Sequence, residues 1–401
     1  MEAQGLTGGG PASARRWPEV LAAFLRLGLT SFGGPVAHIG YFRRAFVDDR
    51  GWLDGDRFAA LLALCQALPG PASSQLGLAI GHARAGWPGA FAAWIGFTLP
   101  SALLMILFAW GAHWASAGAP WVHGLKLAAV AVVAQAVLLM ARQFAGDRRR
   151  IMIALGGALA MALGGGAAMQ MLVILGGAAL GAVMLGDARA LPFPHTRERV
   201  GRRAGVALLL IFAALLLASF ALAGGRGALA QLAAYYRAGA LVFGGGHVVL
   251  PLLEQGVVAT GAVDRAGFLA AYGAAQALPG PLFTIAAYPG FHGAPGGVAG
   301  ALLALGAIFL PGALLLIGAL PHWSRLAALP RVAPALAGTN AAVVGLLAAA
   351  LYDPLWRGSV LGPIDAIVAA FAFVALTIGR APPLLVVAGC ALAGWAIHGG
   401  L

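Results

Sequence analysis

The residue types able to do chemistry are concentrated at breaks in apolar segments. Pro69-Gly70-Pro71 and Pro279-Gly280-Pro281 each end a Gln-Ala-Leu-Pro-Gly-Pro run, Gln66 to Pro71 and Gln276 to Pro281, deep in an apolar stretch. Two prolines remove two backbone donors and clash with the preceding turn, so a helix must stop there and restart. A backbone opened at membrane depth is tolerated only where protein or a watery cavity satisfies the freed groups. Each restart carries hydroxyls near its N-terminus, Ser73 and Ser74 in one copy and Thr284 in the other. Unpaired amides and the positive end of the helix dipole make that position an anion site. The hydroxyls can cap the new helix or donate to a bound oxyanion.

A second pair of breaks lies upstream, at Phe32-Gly33-Gly34-Pro35 and Phe243-Gly244-Gly245-Gly246. Paired glycines admit backbone conformations that other residues resist. Arg26 and Arg237 precede these breaks, each about eight residues or roughly 12 Å into its segment at ~1.5 Å per residue. An intramembrane arginine costs about 2.5–3.5 kcal/mol even on the lower scales. It therefore either snorkels to headgroups or faces a cavity as a cation for an anionic substrate. His38 and His247 follow the two breaks without aligning with each other, and can relay protons or simply bond an exposed carbonyl. Lys126, the only lysine, begins a span, and Glu254 ends one as a gate, a proton-coupling carboxylate or a solvated helix end. Cys65 and Cys390 are far apart, and no Cys or His spacing supports a metal or a redox cofactor.

What must position these groups is a membrane scaffold. Of 401 residues, 61% are hydrophobic and 9% charged, against roughly 25% charged in soluble domains. Sixty glycines point to close helix packing. The net charge of +12 sits between apolar stretches and is not interleaved with aromatics, which excludes nucleic-acid binding as the reason for it. No small-residue cleavage site follows Arg15 and Arg16, so the first apolar stretch is expected to stay.

The chain is duplicated. Arg26 to Gly34 aligns with Arg237 to Gly245 at an offset of 211, the Pro-Gly-Pro runs match at 210, and Pro100 pairs with Pro311. Apolar stretches predict spans near 18–40, 58–85, 89–112, 121–142, 151–167 and 168–186, repeated near 229–253, 266–294, 297–320, 332–352, 361–378 and 381–399. One unmatched helix near 204–223 joins the halves, giving about thirteen spans and an all-α inverted repeat. The units are a cytoplasmic segment 1–17, a first repeat 18–186, a basic linker with the joining helix 187–227, and a second repeat 228–401. Arginines at 15, 16, 142–203, 325, 331 and 380 then face the cytoplasm, with the N-terminus inside and the C-terminus outside. The loop from Arg43 to Arg57 is the weak point, because four arginines fall outside, though Asp48, Asp49, Asp54 and Asp56 balance them. Re-entrant Pro-Gly-Pro segments would lower the count by one per half and fit worse, since Arg148 to Arg150 would move outside.

Together, the Phe-Gly-Gly breaks with His38 and His247 nearby and the paired Gln-Ala-Leu-Pro-Gly-Pro segments resemble the chromate ion transporter family, in its long form with two fused domains. That resemblance covers nearly the whole chain. It implies export of chromate across the bacterial inner membrane, driven by the proton-motive force, with sulfate as a competing oxyanion. A sulfate uptake carrier and an anion channel remain alternatives. A membrane enzyme does not fit, because neither paired carboxylates nor a nucleophile with its base stands in the spans. The expected ligands are Arg26, Arg237, Gly33, Gly34, Gly244, Gly245, both Pro-Gly-Pro restarts and their hydroxyls. Homo-oligomers are compatible with the sequence.

Overall fold

The computed structural model describes residues 16–114, 119–164, 166–186, 200–243 and 248–398, and all regular structure among them is helical. The first repeat contains α1 (Trp17–Thr30), α2 (Gly34–Arg43), α3 (Gly55–Ala67), α4 (Ala72–Trp114), α5 (Pro120–Phe144), α6 (Arg148–Leu163) and α7 (Ala167–Met184). α8 (Arg202–Ala221) joins it to the second. There follow α9 (Ala228–Ala240), α10 (Val249–Ala259), α11 (Arg265–Ala275), α12 (Ala287–His292), α13 (Gly297–Ala319), α14 (Trp323–Ala327), α15 (Val332–Ala350), α16 (Arg357–Ser359), α17 (Pro363–Thr377) and α18 (Pro383–His398). Five segments, starting with α4, α5, α8, α13 and α15, are long and apolar enough to cross a membrane. Large apolar side chains such as Leu163, Val183, Phe371 and Ile378 are exposed on the outer surface. With lipid as the surrounding solvent such exposure carries no penalty, and the chain is a multi-pass membrane protein.

The broken segments depart from the expected single spans. Phe24 of α1 stacks on Phe46, beyond α2, at 4.7 Å between ring centroids. Residues 22 positions apart can meet only if α1 and α2 fold back on one another. Trp52, just before α3, lies under the Arg84 guanidinium at 5.0 Å, and Arg84 pairs with Glu19 at the start of α1 at 3.1 Å. So α3 and the first arm of α4 form a second hairpin, which opens at the same end as the first. The second repeat does the same. Gly256 of α10 lies against Ala234 of α9, and Gly267 of α11 against the Tyr288 hydroxyl of α12. α1 with α2, α3 with the first arm of α4, α9 with α10, and α11 with α12 therefore pack as pairs of half-length helices and not as four continuous ones. The physical reason is that Gly33, Gly34, Gly70 and Gly280, at φ of +97°, +74°, +128° and +93°, turn the chain back where a side chain would resist it.

α4 breaks again at Ala85 and Gly86, the latter at φ +64°. Its short arm folds onto its long one at Gly81 and Gly89, and α12 folds onto α13 at Gly290 and Gly300 in the same way. Beyond these hairpins the repeats interlock. α5 packs along α17 and α18 of the other repeat, while α15 packs along α6 and α7. The contacts are close enough that a methyl group at Gly124 would strike the Cys390 carbonyl, which is how helices hold together when water supplies little driving force.

Candidate functional site

The hairpin tips of the two repeats meet. The Gly70 amide donates to the Val242 carbonyl at 2.7 Å, and the Gly280 amide donates to the Ser31 carbonyl at 2.9 Å. Ser31 and Val242 are counterparts, each directly before a Phe-Gly-Gly, and Gly70 and Gly280 are the central glycines of Pro-Gly-Pro. The contact is thus reciprocal: each repeat's Pro-Gly-Pro amide satisfies a carbonyl freed by the other's glycine break. A Cβ on Gly280 would lie 2.9 Å from Ser101 Oγ, and one on Gly70 would lie 3.1 Å from Gly312 Cα. Ser101 and Gly312 follow the matched helix prolines Pro100 and Pro311. Gln75 Nε2 donates both to Pro69 O at 3.0 Å and to Gly312 O at 3.1 Å, fastening one tip to the other repeat's helix.

Among the described residues, the polar side chains around this junction come almost entirely from the first repeat. His38 is fully buried, with Nε2 3.2 Å from Ser31 O, Nδ1 3.4 Å from Ser73 Oγ and its ring edge-on to Phe97. A carbonyl only accepts, so Nε2 carries the proton, and neutral Nδ1 then accepts from the Ser73 hydroxyl. Ser31 Oγ, Ser74 Oγ, Gln75 Oε1 and Thr98 Oγ1 are buried without a hydrogen-bond partner among the described residues. Their counterparts in the second repeat are Val242, Thr284, Ile285 and Phe309, and those of His38 and Ser73 are Val249 and Phe283. The one remaining hydroxyl there, Thr284 Oγ1, donates to Pro281 O at 2.8 Å within its own turn. That restart is a short 3-10 turn, Leu282–Ala286, whereas Ser73 and Ser74 begin a regular α-helix.

The duplicated arginines are placed differently. Arg26 is exposed on α1. Arg237 is buried, its guanidinium donates to the Ser219 carbonyl and packs over the Phe220 ring at 5.5 Å, and so it caps the last turn of α8. Gly244, Gly245 and His247 lie outside the described residues. Pro69, Pro71, Pro279 and Pro281 flank the tip glycines as expected from sequence.

Glu254 and Lys126 sit together at another locus, the end where the second repeat's hairpins open. Glu254 is 2% exposed and accepts from Arg265 Nε at 2.7 Å. Arg265 reaches Asp353 at 3.6 Å, and Asp353 pairs with Arg357 at 3.3 Å. Lys126 is within electrostatic reach of Asp264 and Asp365. Sequence reasoning missed two features. Ser31, Gln75 and Thr98 belong to the tip cluster, and a comparison of the repeats position by position would have exposed them. The buried pair of His123 Nε2 and Asp365 Oδ1, 3.0 Å apart, joins residues 242 positions distant, with no spacing signal to reveal it. Among the described residues no group of three or more His, Cys, Asp or Glu could hold a metal.

A family model described as Chromate transporter matches this chain twice, at residues 18–182 and 229–395. The chain is 31% identical over 345 residues to a "Chromate transport protein" of Pseudomonas aeruginosa, covering 84% of this chain and 80% of that one. It is 30% identical over 339 residues to a "Probable chromate transport protein" of Synechococcus elongatus, 82% of either chain. To a "Chromate transport protein" of Cupriavidus metallidurans it is 26% identical over 382 residues, 94% of this chain and 92% of that one. No solved structure matches.

Proposed function

The chain belongs to the chromate transporter family, and we propose that it is a secondary active carrier that exports chromate from the bacterial cytoplasm, binding the oxyanion where the four hairpin tips meet. The observation that carries this reading is the set of buried, unpartnered hydroxyls of Ser31, Ser74 and Thr98 beside the reciprocally bonded tips. A buried hydroxyl left unsatisfied costs about 1–3 kcal/mol, so several together favour a guest that accepts hydrogen bonds. A tetrahedral oxyanion presents four acceptors. The start of α4 adds first-turn amides and the positive end of a helix dipole. Both repeats shape the site, but the first supplies the donors and the second an apolar backing of Val242, Phe283, Ile285 and Phe309. Sulfate offers the same acceptors and is the expected competitor.

The hairpins also support a revised topology for this carrier. If both broken segments of each repeat turn back, four crossings remain per repeat: the long arm of α4, α5, α6 and α7, then α13, α15, α17 and α18. With α8 the total is nine, and the second repeat is inverted relative to the first. Arg43, Arg44, Arg50 and Arg57 then move to the end that holds Glu19 and Arg84, beside Arg142, Arg148 to Arg150, Arg202, Arg203, Arg325, Arg331 and Arg380. This end is the cytoplasmic one. The opposite end keeps Arg226, Arg265, Arg357 and Lys126, offset by Glu254, Asp264, Asp353 and Asp365, and the C-terminus lies there.

Chromate uptake into everted membrane vesicles tests the function. Uptake that saturates, is suppressed by excess sulfate and falls when the imposed pH gradient is collapsed is the expected result. Saturable sulfate uptake with no chromate uptake would overturn the substrate, and non-saturating flux would make the protein a channel.

A further inference from the structure

We propose that the groove between α6 and α7 binds an anionic phospholipid of the cytoplasmic leaflet, with one acyl chain in the groove and the phosphate at Arg148 and Arg149. The inference goes beyond the carrier reading. It concerns the lipid-facing surface and takes from that reading only the sidedness of the chain.

The groove has a volume of about 490 Å³, within the range of about 300–1,000 Å³ typical of sites for small molecules. Its walls are apolar, Met152 and Gly156 from α6 and Gly176, Leu180 and Met184 from α7. Each helix contributes a pair of adjacent glycines whose members differ in what they do. A Cβ on Gly157 would lie 2.9 Å from the Ala342 carbonyl oxygen, and one on Gly177 would lie 2.5 Å from Ala342 Cβ, so these two let α6 and α7 sit close on α15. A Cβ on Gly156 or Gly176 would meet nothing within 4 Å among the described residues. Glycine weakens a helix interior relative to alanine, and no protein contact accounts for it at these two positions. What their bare backbone does is keep the groove open.

The groove runs up to a cationic end. Arg148 lies one turn before Met152 on the same line of α6. Arg149 donates to the Met184 carbonyl at 2.7 Å and closes the groove between the two helices. Asp147 caps α6 and pairs with Arg150 at 3.3 Å, which leaves Arg148 exposed and without an ion pair among the described residues. Apolar walls beneath an arginine cluster match the two parts of a phospholipid. An acyl chain gains no hydrophobic energy in leaving the bilayer for a groove, so charge decides which lipid enters. Arginines at a helix end bind phosphate through charge-assisted hydrogen bonds, and a headgroup with net negative charge is favoured over a zwitterionic one.

A second copy of the chain is the other candidate for a glycine-lined groove. A twofold axis along the membrane normal would set two clusters of Arg148 to Arg150 at the same depth, like charge facing like, whereas a lipid phosphate neutralises them. The lipid also touches both repeats, since α6 and α7 belong to the first and Ala342 to the second, and so strengthens their interlock.

The test titrates the purified protein in neutral detergent with phosphatidylglycerol, with phosphatidylcholine of the same chains and with inorganic phosphate, following Tm and, by native mass spectrometry, bound lipid. Wild type is compared with the double variant Gly156→Leu and Gly176→Leu, with Arg148→Gln, and with Arg44→Gln as a charge control on another hairpin. One phosphatidylglycerol per chain is expected to raise the wild-type Tm, with about tenfold more phosphatidylcholine needed for the same rise. The double variant loses the rise. Its Tm without lipid is not lowered, because the new side chains enter open space. Arg148→Gln raises the half-saturating phosphatidylglycerol concentration about tenfold, the loss of one charge-assisted hydrogen bond, and Arg44→Gln leaves it unchanged. Arg148 is exposed, so this variant carries the test if the double variant fails to fold. Undiminished phosphatidylglycerol binding in Arg148→Gln, equal binding of phosphatidylcholine, or an equal effect of inorganic phosphate overturns the proposal. So does a wild-type dimer that the double variant turns into a monomer with phosphatidylglycerol binding unchanged, which would make the groove an interface between copies. Chromate uptake in everted vesicles tests the carrier reading separately.

Discussion

Replacing Ser74 and Thr284 separately by alanine tests whether the two repeats bind the oxyanion unequally. The positions are counterparts, each the third residue after its Pro-Gly-Pro, and both are buried. Their hydroxyls differ in commitment. Thr284 Oγ1 is bonded to Pro281 O at 2.8 Å, whereas Ser74 Oγ bonds no described protein group. A hydroxyl donating to a charged group contributes about 1.5–3 kcal/mol, so losing Ser74 raises the KM for chromate by roughly 10- to 150-fold. The protein's own stability changes little, because no protein hydrogen bond is lost and a serine hydroxyl leaves only a small void. Thr284→Ala instead removes a turn-closing bond and costs about 0.5–1.5 kcal/mol of stability, with KM close to wild type. Initial uptake rates in everted vesicles, normalised to protein level, separate the two, and thermal unfolding of the purified protein supplies the stability term. Equal KM changes in the two variants, or an unchanged KM in Ser74→Ala, would refute the one-sided site.

Gly280→Ala is expected to impair both folding and transport. Its φ of +93° is unfavourable for alanine and its Cβ would lie 2.9 Å from Ser101 Oγ, a combination costing about 1–3 kcal/mol. Gly51→Ala is the control, since φ is also positive, at +58°, but nothing stands within 4 Å. A Tm loss no larger at Gly280 than at Gly51 would show that the tip contact is not tight. The revised topology predicts that a cysteine introduced at Asp48 reacts with an impermeant thiol reagent from the cytoplasmic side, while the native Cys65 and Cys390 stay silent because they are buried. Labelling from the outside would restore the continuous-span reading of residues 18–40.

Much of the site was legible because duplication is a property of sequence. The Gln-Ala-Leu-Pro-Gly-Pro identity and the paired Phe-Gly-Gly motifs located both tips, and Ser74 with Thr284, before any contact was known. What a span count cannot see is reversal. Twenty apolar residues interrupted at the middle satisfy a length criterion equally well as one crossing or as two half-length arms. The information that bears on the proposed topology was present as charge: continuous spans put four arginines between Arg43 and Arg57 outside, balanced only by four aspartates. Reversing one broken segment per repeat changes the parity and spoils the other loops, whereas reversing both restores it. Arg26 and Arg237 occupy different surroundings despite their matched positions. Matched positions imply matched backbone, but the joining helix has no counterpart in the first repeat, and it is this helix that Arg237 caps.

The proposed topology also accounts for the chemical inequality of the two copies. Two aligned positions of an inverted repeat lie at opposite ends of the membrane, so they experience opposite selection by the positive-inside bias. Arg43 and Arg142 of the first repeat align at offset 211 with Glu254 and Asp353 of the second. At the basic end both arginines are exposed. At the other end the two carboxylates flank Arg265, which bonds Glu254 at 2.7 Å and reaches Asp353 at 3.6 Å. The same ancestral positions therefore became a solvated basic rim on one side and a paired ionic lattice on the other. Such a lattice, close to Asp264 and Lys126, can hold that end of the hairpins shut, whereas the basic end, where Arg84 pairs with a part-exposed Glu19 at 3.1 Å, carries an excess of positive charge.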